Sequence, residues 1–327
     1  MATQSLHMRI TCSLRRSTSG AARGSGFLLI GYVLLVIVLL SGCGPDVRDA
    51  WTAFDNADYE TAIEQSRPLA QRGEPAAQFL LGLMYSDGKG VARDDKEAAK
   101  WYERAAEQGY APAQANLGLL YLNGQGVTRD YELAGKWLLT AAEQGVAQSR
   151  LLLGRMHLQG RGVRQDSEKA ARLLTLAAEQ GLAAAQADLG LMFIRGQGVA
   201  QDYDAAAKWL QRAADQGHAI AQSNLGLLYL RGLGVDEDHR LAAGWFQRAA
   251  NQGLVSAQRK LGAMYEHGRG VSQDNVWAHV WYARAALQGD EDAMRSRNDL
   301  QAKMTSDQIR KAQQHIRERT QLRDTAF

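Results

Sequence analysis

The chain has 327 residues, 46% of them apolar and 22% charged, a composition that excludes a mostly disordered protein. Four of its 38 basic residues, Arg9, Arg15, Arg16 and Arg23, lie before residue 43 with no acid among them. The remainder sets 34 basic against 35 acidic residues, and so near-neutral a body argues against nucleic acid as a partner.

Proline is scarce, with 4 residues, and glycine plentiful, with 33. This pairing suits many helices broken at regular points, because glycine ends helices where a left-handed residue is needed. Alternating β-branched runs are absent, which argues against a sheet. The two cysteines, Cys12 and Cys43, lie in the leader and at its end. A processed chain could form no internal disulfide, so packing alone must stabilise it.

The leader comes first along the chain. A basic stretch ends at Arg23 and an apolar run follows from Phe27 to Leu40. The run suits the core of an export signal and falls short of the roughly 20 residues a membrane span needs. An uncleaved signal anchor is the competing reading. The run closes on Leu40-Ser41-Gly42-Cys43, which resembles the lipobox of bacterial lipoproteins. The resemblance implies a signal peptide over 1–42, cleavage before Cys43, lipid on Cys43 and a short lipidated tether over 43–49. Gly44 stands where an aspartate would otherwise imply retention, so the implied location is the outer membrane, facing the periplasm. Met8 is an alternative start.

The body repeats itself. Gly73, Gly109, Gly145, Gly181, Gly217, Gly253 and Gly289 are spaced by 36 residues, as are Gly82 to Gly262 and Asp94 to Asp274 in two further series. Three series in one phase define a repeat architecture. In the unit from Gly109, apolar or small residues at Leu117, Gly118, Tyr121 and Leu122 have helical spacing. The turn Gly124-Gln125-Gly126-Val127 follows, then Asp130 as N-cap of a second helix. That helix carries Ala134, Trp137, Leu138, Ala141 and Ala142, and Gly145 closes it. Small residues at Gly118, Ala134 and Ala141 predict a close approach of the two axes, with Trp137 filling the remaining space. The expected fold is all-α, built of antiparallel helix pairs that must stack to hide their apolar faces.

The pattern A-Q-x-x-L-G-x-x-Y, x-G-x-G-V-x-x-D, x-x-x-A-x-x-W and A-A-x-Q-G resembles the Sel1-like repeat, a relative of the tetratricopeptide repeat. It covers about Asp58 to Gln288. The resemblance implies a right-handed α-solenoid with six repeats over 73–288, capping helices over 50–72, and capping helices and a tail over 289–327. The third repeat departs most, with Ser149-Arg150 for Ala-Gln, Met156-His157 near the usual tyrosine and Leu173 for tryptophan. Arg150 is expected to face solvent or ligand.

No catalytic constellation, cofactor site or metal site emerges. The G-x-G turns lack the third glycine and preceding strand of a dinucleotide site. The recurring aspartates read as N-caps and the tryptophans as core. The histidines lack metal-ligand pairing within a turn, and the pair Arg150 and His157 has no nucleophile beside it. The expectation is a non-catalytic protein.

By resemblance to tetratricopeptide folds, the first helices line a concave groove. Its variable polar positions are Asn116, Asn123, Arg155, Gln159, Asp188, Arg195, Asn224, Arg231, Lys260 and His267. The cationic stretch would favour an acidic peptide, a carboxylate tail or an anionic glycan, since guanidinium pairs two-pronged with carboxylate. The bland alternative is a solvated face. The expected function is an adaptor in the bacterial envelope, held to the membrane by the lipid on Cys43, that binds an envelope protein or a peptide segment. The alternative is a peptidoglycan-fragment or β-lactam-binding protein or a weak hydrolase of the Sel1 type, against which the lack of inter-helix disulfides counts.

Overall fold

A computed structural model of the chain describes residues 46–324, with side chains to residue 318. The leader, Cys43 and the start of the expected tether lie outside the described residues. Among the described residues there are sixteen helices and no strand. Helices α1 (Val47–Asp55) and α2 (Tyr59–Gln71) precede six pairs. The first helices of the pairs are α3 (Pro75–Asp87), α5 (Ala111–Asn123), α7 (Ala147–Gln159), α9 (Ala183–Arg195), α11 (Ala219–Arg231) and α13 (Val255–His267). Their partners are α4 (Asp95–Glu107), α6 (Tyr131–Glu143), α8 (Ser167–Glu179), α10 (Tyr203–Asp215), α12 (His239–Asn251) and α14 (Asn275–Ala286). Helices α15 (Glu291–Gln301) and α16 (Ser306–Asp324) follow. The chain divides into two compact units. One holds the described residues to Leu153 with Arg161–Arg164, the other Gly154–Gly160 with Gln165 onward.

The capping chemistry read from the sequence is present. Asp94, Asp130, Asp166, Asp202, Asp238 and Asp274 have extended backbones, and each side chain accepts an amide hydrogen bond from the first turn of its helix. These bonds satisfy donors that a helix start leaves unpaired. Helix α1 takes residues 47–49 from the expected tether, because Asp46 accepts from the Arg48 amide and starts the helix there.

Most clusters of buried residues draw on more than one pair. In the second unit, Ala206, Leu210 and Ala213 of α10 pack with Leu225 and Leu228 of α11 and Trp245 of α12. Another joins Ala242 and Phe246 of α12 to Leu261 and Met264 of α13 and Trp281 of α14. In the first unit, Ala98, Tyr102 and Ala105 of α4 pack with Phe79 of α3 and Leu117 of α5. Each fully buried leucine contributes about 1.5–3 kcal/mol, and it does so only while its neighbours are in place.

Two glycines show how closely the backbones meet. A methyl group on Gly118 would lie 2.8 Å from Leu138 Cγ, so α5 and α6 touch through this glycine. Leu138, rather than Trp137, fills the space there. Trp137 lies one residue further round the helix and packs on the cluster around Phe79 and Tyr102. The turn glycine Gly198 has φ +71, and a methyl group on it would lie 2.0 Å from the Ser167 carbonyl oxygen. The turn of one repeat thus sits on the start of the preceding repeat's second helix.

Arg150 is engaged within the fold rather than pointing freely into solvent. It is half-buried, and its Nε donates to the Ala142 carbonyl at 3.1 Å. The glutamines at this position elsewhere donate to the carbonyl eight residues back in the same way, as Gln114 does to Ala106 and Gln222 to Ala214. The arginine takes over a structural bond.

At the C-terminal end, Ala293 and Leu300 of α15, Met304 between α15 and α16, and Ala312 of α16 cover Ala278, Val280 and Tyr282 of α14. Thr305 Oγ1 accepts from the Gln308 amide while Gln308 Oε1 accepts from the Thr305 amide, a reciprocal cap that opens α16.

Candidate partner-binding face

The polar positions singled out in the sequence all fall on first helices, and the structure uses them in different ways. In the first unit they serve their own surroundings. Asn116 of α5 is half-buried and shares a hydrogen bond with the Tyr102 hydroxyl, whose ionisation burial pushes far up. Asn123 is exposed at the end of α5 and donates to Gln125 Oε1 at 3.2 Å.

In the second unit, Arg155 and Asp188 come together. Arg155 Nε donates to Asp188 Oδ2 at 2.6 Å, tying α7 to α9. Arg155 is therefore not an uncommitted cation, and the cationic stretch expected from the sequence loses one of its members. Asn224 of α11 donates to the Ile220 carbonyl at 2.8 Å and is likewise occupied within its own helix. Gln159 is exposed at the last position of α7.

Arg195, Arg231 and His267 are exposed and occupy the last positions of α9, α11 and α13. The negative end of a helix dipole favours cations there. Lys260 of α13 is half-buried, and burial with the nearby charges of Arg259 and Arg231 pushes its amine below the usual lysine range, against a weaker upward pull from Asp290. Asp290 is already engaged, accepting from Arg259 Nε at 3.1 Å. Arg231, Arg259 and Lys260 thus form an electrostatic neighbourhood with more positive than negative charge.

Two residues of this face were missed in the sequence. His218 precedes α11, and its Nδ1 accepts from the Ala221 amide at 3.3 Å. Burial pushes its pKa down; Asp188 pulls it up and Arg155 pushes it further down. Arg259 is the other. Both had a signal: His218 stands where other repeats have Glu74, Tyr110, Val146, Leu182 and Leu254, and Arg259 where they have Phe79, Ala115, Leu151, Ala187 and Ser223. Each is a charged or titratable residue at an otherwise mostly apolar or small position. Among the described residues, no three His, Cys, Asp or Glu side chains gather as metal ligands would.

Similarity to known proteins agrees with this architecture. The Sel1 repeat family matches six consecutive stretches, 75–110, 111–146, 147–182, 183–218, 219–254 and 255–290. A solved protective antigen of uropathogenic Escherichia coli is 36% identical with a TM-score of 0.70, over 77% of this chain and 56% of that one. A solved Sel1 repeat protein of Oxalobacter formigenes is 31% identical with a TM-score of 0.69, over 74% of this chain and 97% of that one. An exopolysaccharide production negative regulator of Rhizobium leguminosarum is 33% identical over 96 residues, 24% of this chain and 36% of the relative. A chitin synthase regulator of Saccharomyces cerevisiae is 39% identical over 70 residues, 21% of this chain and 10% of the relative. The chain thus spans about a third and a tenth of the two curated relatives, and about half of the Escherichia coli antigen. With six units matched in register and helix pairs of the same period, the chain belongs to the Sel1 repeat family, whose members generally act as protein-interaction scaffolds.

Proposed function

We propose that the chain is a non-catalytic adaptor of the bacterial envelope, tethered by lipid on Cys43, that holds an acidic segment of a partner protein against the first helices of its second unit. The observation that carries this reading is the state of the cations there. Arg155 is neutralised by Asp188 at 2.6 Å, whereas Arg195 and Arg231 stand exposed at helix ends and Lys260 shares its surroundings with Arg231 and Arg259. A carboxylate brought to Arg231 and Lys260 would relieve that repulsion, and arginine would orient it through paired hydrogen bonds. Two curated relatives are named as regulators of exopolysaccharide production and of chitin synthase, which supports a regulatory partner within a polysaccharide-making system. Tethering would raise the local concentration of the face near the membrane and strengthen weak contacts.

The test is an affinity capture from detergent-solubilised envelopes, with the full chain and its Arg195→Ala/Arg231→Ala variant as baits. The expected result is a stoichiometric protein that the wild type retains and the variant loses. Equal recovery by both baits would remove the cationic face from the mechanism. A parallel Cys43→Ser variant should lose incorporation of labelled palmitate and leave the membrane fraction; unchanged fractionation would overturn the tether.

A further inference from the structure

The second helices carry a feature of their own. In four repeats a tryptophan is followed three residues later by an arginine whose guanidinium lies over the indole. Arg104 sits 4.5 Å from Trp101, Arg212 4.6 Å from Trp209, Arg248 4.4 Å from Trp245 and Arg284 4.6 Å from Trp281. Such contacts cover an aromatic surface with charge. The third repeat lacks both partners: Leu173 and Leu176 of α8 occupy these positions, and Leu176 is 44% exposed.

Beside Leu176 the surface opens into a hollow of about 520 Å³, lined by Glu168, Arg172, Thr175 and Glu179 of α8 and by Gly198 and Val199 of the following turn. Its volume lies in the range of small-ligand sites. The charges are ordered along the helix. Glu168 and Glu179 mark the two ends, and neither is engaged in an ion pair among the described residues. Arg172 lies between them, and its charge is answered in part by Asp166, which it helps hold below the usual carboxylate range. The glutamates are separated by eleven residues of helix, about 16 Å along the axis. An extended segment covers that distance in about five residues.

We propose that this hollow is a second docking surface, which seats an apolar side chain of a partner segment carrying a basic residue on either side, about five residues apart. Leu176 and Val199 take the apolar side chain, and Glu168 and Glu179 take the flanking cations. The surface lies on a second helix and uses no residue of the cationic first-helix face, so it stands or falls separately from the adaptor reading above.

Fluorescence anisotropy with the detergent-solubilised full chain tests it. The probe is a labelled peptide, Lys-Ser-Leu-Leu-Ser-Lys, and the controls are Lys-Ser-Ser-Ser-Ser-Lys and Glu-Ser-Leu-Leu-Ser-Glu. The expected result is saturable binding of the first peptide alone. Leu176→Arg, which installs the arginine that other repeats carry, should weaken it about tenfold, the value of one lost apolar contact. Glu168→Lys/Glu179→Lys should reject the lysine peptide and accept the glutamate one. Both variants change exposed side chains, and circular dichroism verifies their helicity. Absence of saturable binding, or binding unchanged in both variants, overturns the proposal. Loss of the peptide in Arg195→Ala/Arg231→Ala also overturns it, because that would place the peptide on the first-helix face.

Discussion

At the scale of single residues, the glycines that close the second helices and those that end the G-x-G turns look alike in the sequence and carry different costs in the structure. Gly181 closes α8 with φ +91 and has no neighbour within 4 Å of an added methyl group. Gly181→Ala pays only for the left-handed backbone, about 1–2 kcal/mol. Gly198 pays the same cost and also drives a methyl group to within 2.0 Å of the Ser167 carbonyl oxygen. Forced separation of packed backbones brings the total for Gly198→Ala to about 3–5 kcal/mol. Denaturant unfolding of the two variants measures the difference; equal midpoints would refute the inter-repeat contact. A glycine's need for positive φ is legible in sequence, whereas its contact with another repeat is not. Other residue-level outcomes divide in the same way. The aspartate caps were legible because capping is local. The role of Arg150 was not, because the carbonyl it satisfies becomes its neighbour only once the helices turn back. Trp137 and Leu138 exchanged expected roles because one residue rotates a side chain by about 100° around the helix, and periodicity is too coarse to separate neighbours.

Helices were legible where the repeat supplied punctuation on both sides. The aspartate before each second helix and the glycine after each first helix fix boundaries independently of how the pairs pack. This makes the caps comparable experiments. Asp202 accepts from the Ala205 amide at 2.9 Å, and Asp238 from the Arg240 and Leu241 amides, each at 2.8 Å. Alanine at either position should cost about 1 kcal/mol, the usual value of a lost cap. Because the two caps serve different helices, the double variant should cost about the sum, within about 0.5 kcal/mol. Chemical denaturation checks this, and a cost well below that of one cap in both single variants would show that the aspartates have another purpose. The candidate face was less legible than the helices that bear it. Its positions could be found by asking where the scaffold tolerates variety, but the pairing of Arg155 with Asp188 spans two repeats. That pairing decides which cations remain available, and no spacing rule within one repeat contains it.

At the scale of the whole molecule, stability is a sum over repeats and the clusters they share, so titration of a few buried groups should be visible in the sum. His218 and His279 both have pKa values pushed below the usual histidine value, each chiefly by burial. His218 faces Asp188, which opposes the shift, and Arg155, which adds to it. His279 of α14 has Nε2 3.1 Å from Gln301 Oε1, which opposes the shift, while Arg297 adds to it. In the unfolded chain both titrate near 6.5, so between that value and their lower folded values the unfolded state binds more protons. Stability is therefore complete above the unfolded value and falls as the solution is acidified through this window. Asp166 and Asp307, held below the usual carboxylate value by an amide hydrogen bond and by Lys311 respectively, lose their contribution only at lower pH, as the solution falls below their unfolded values. The two phases can be separated by melting the protein from pH 8 down to pH 3. His279→Gln keeps a polar side chain beside Gln301 without a titrating ring, and it should flatten the upper phase while leaving the lower one in place. An upper phase of undiminished slope in His218→Asn/His279→Gln would show that other groups carry the acid sensitivity, and would detach the second unit's stability from the two histidines that its packing has buried.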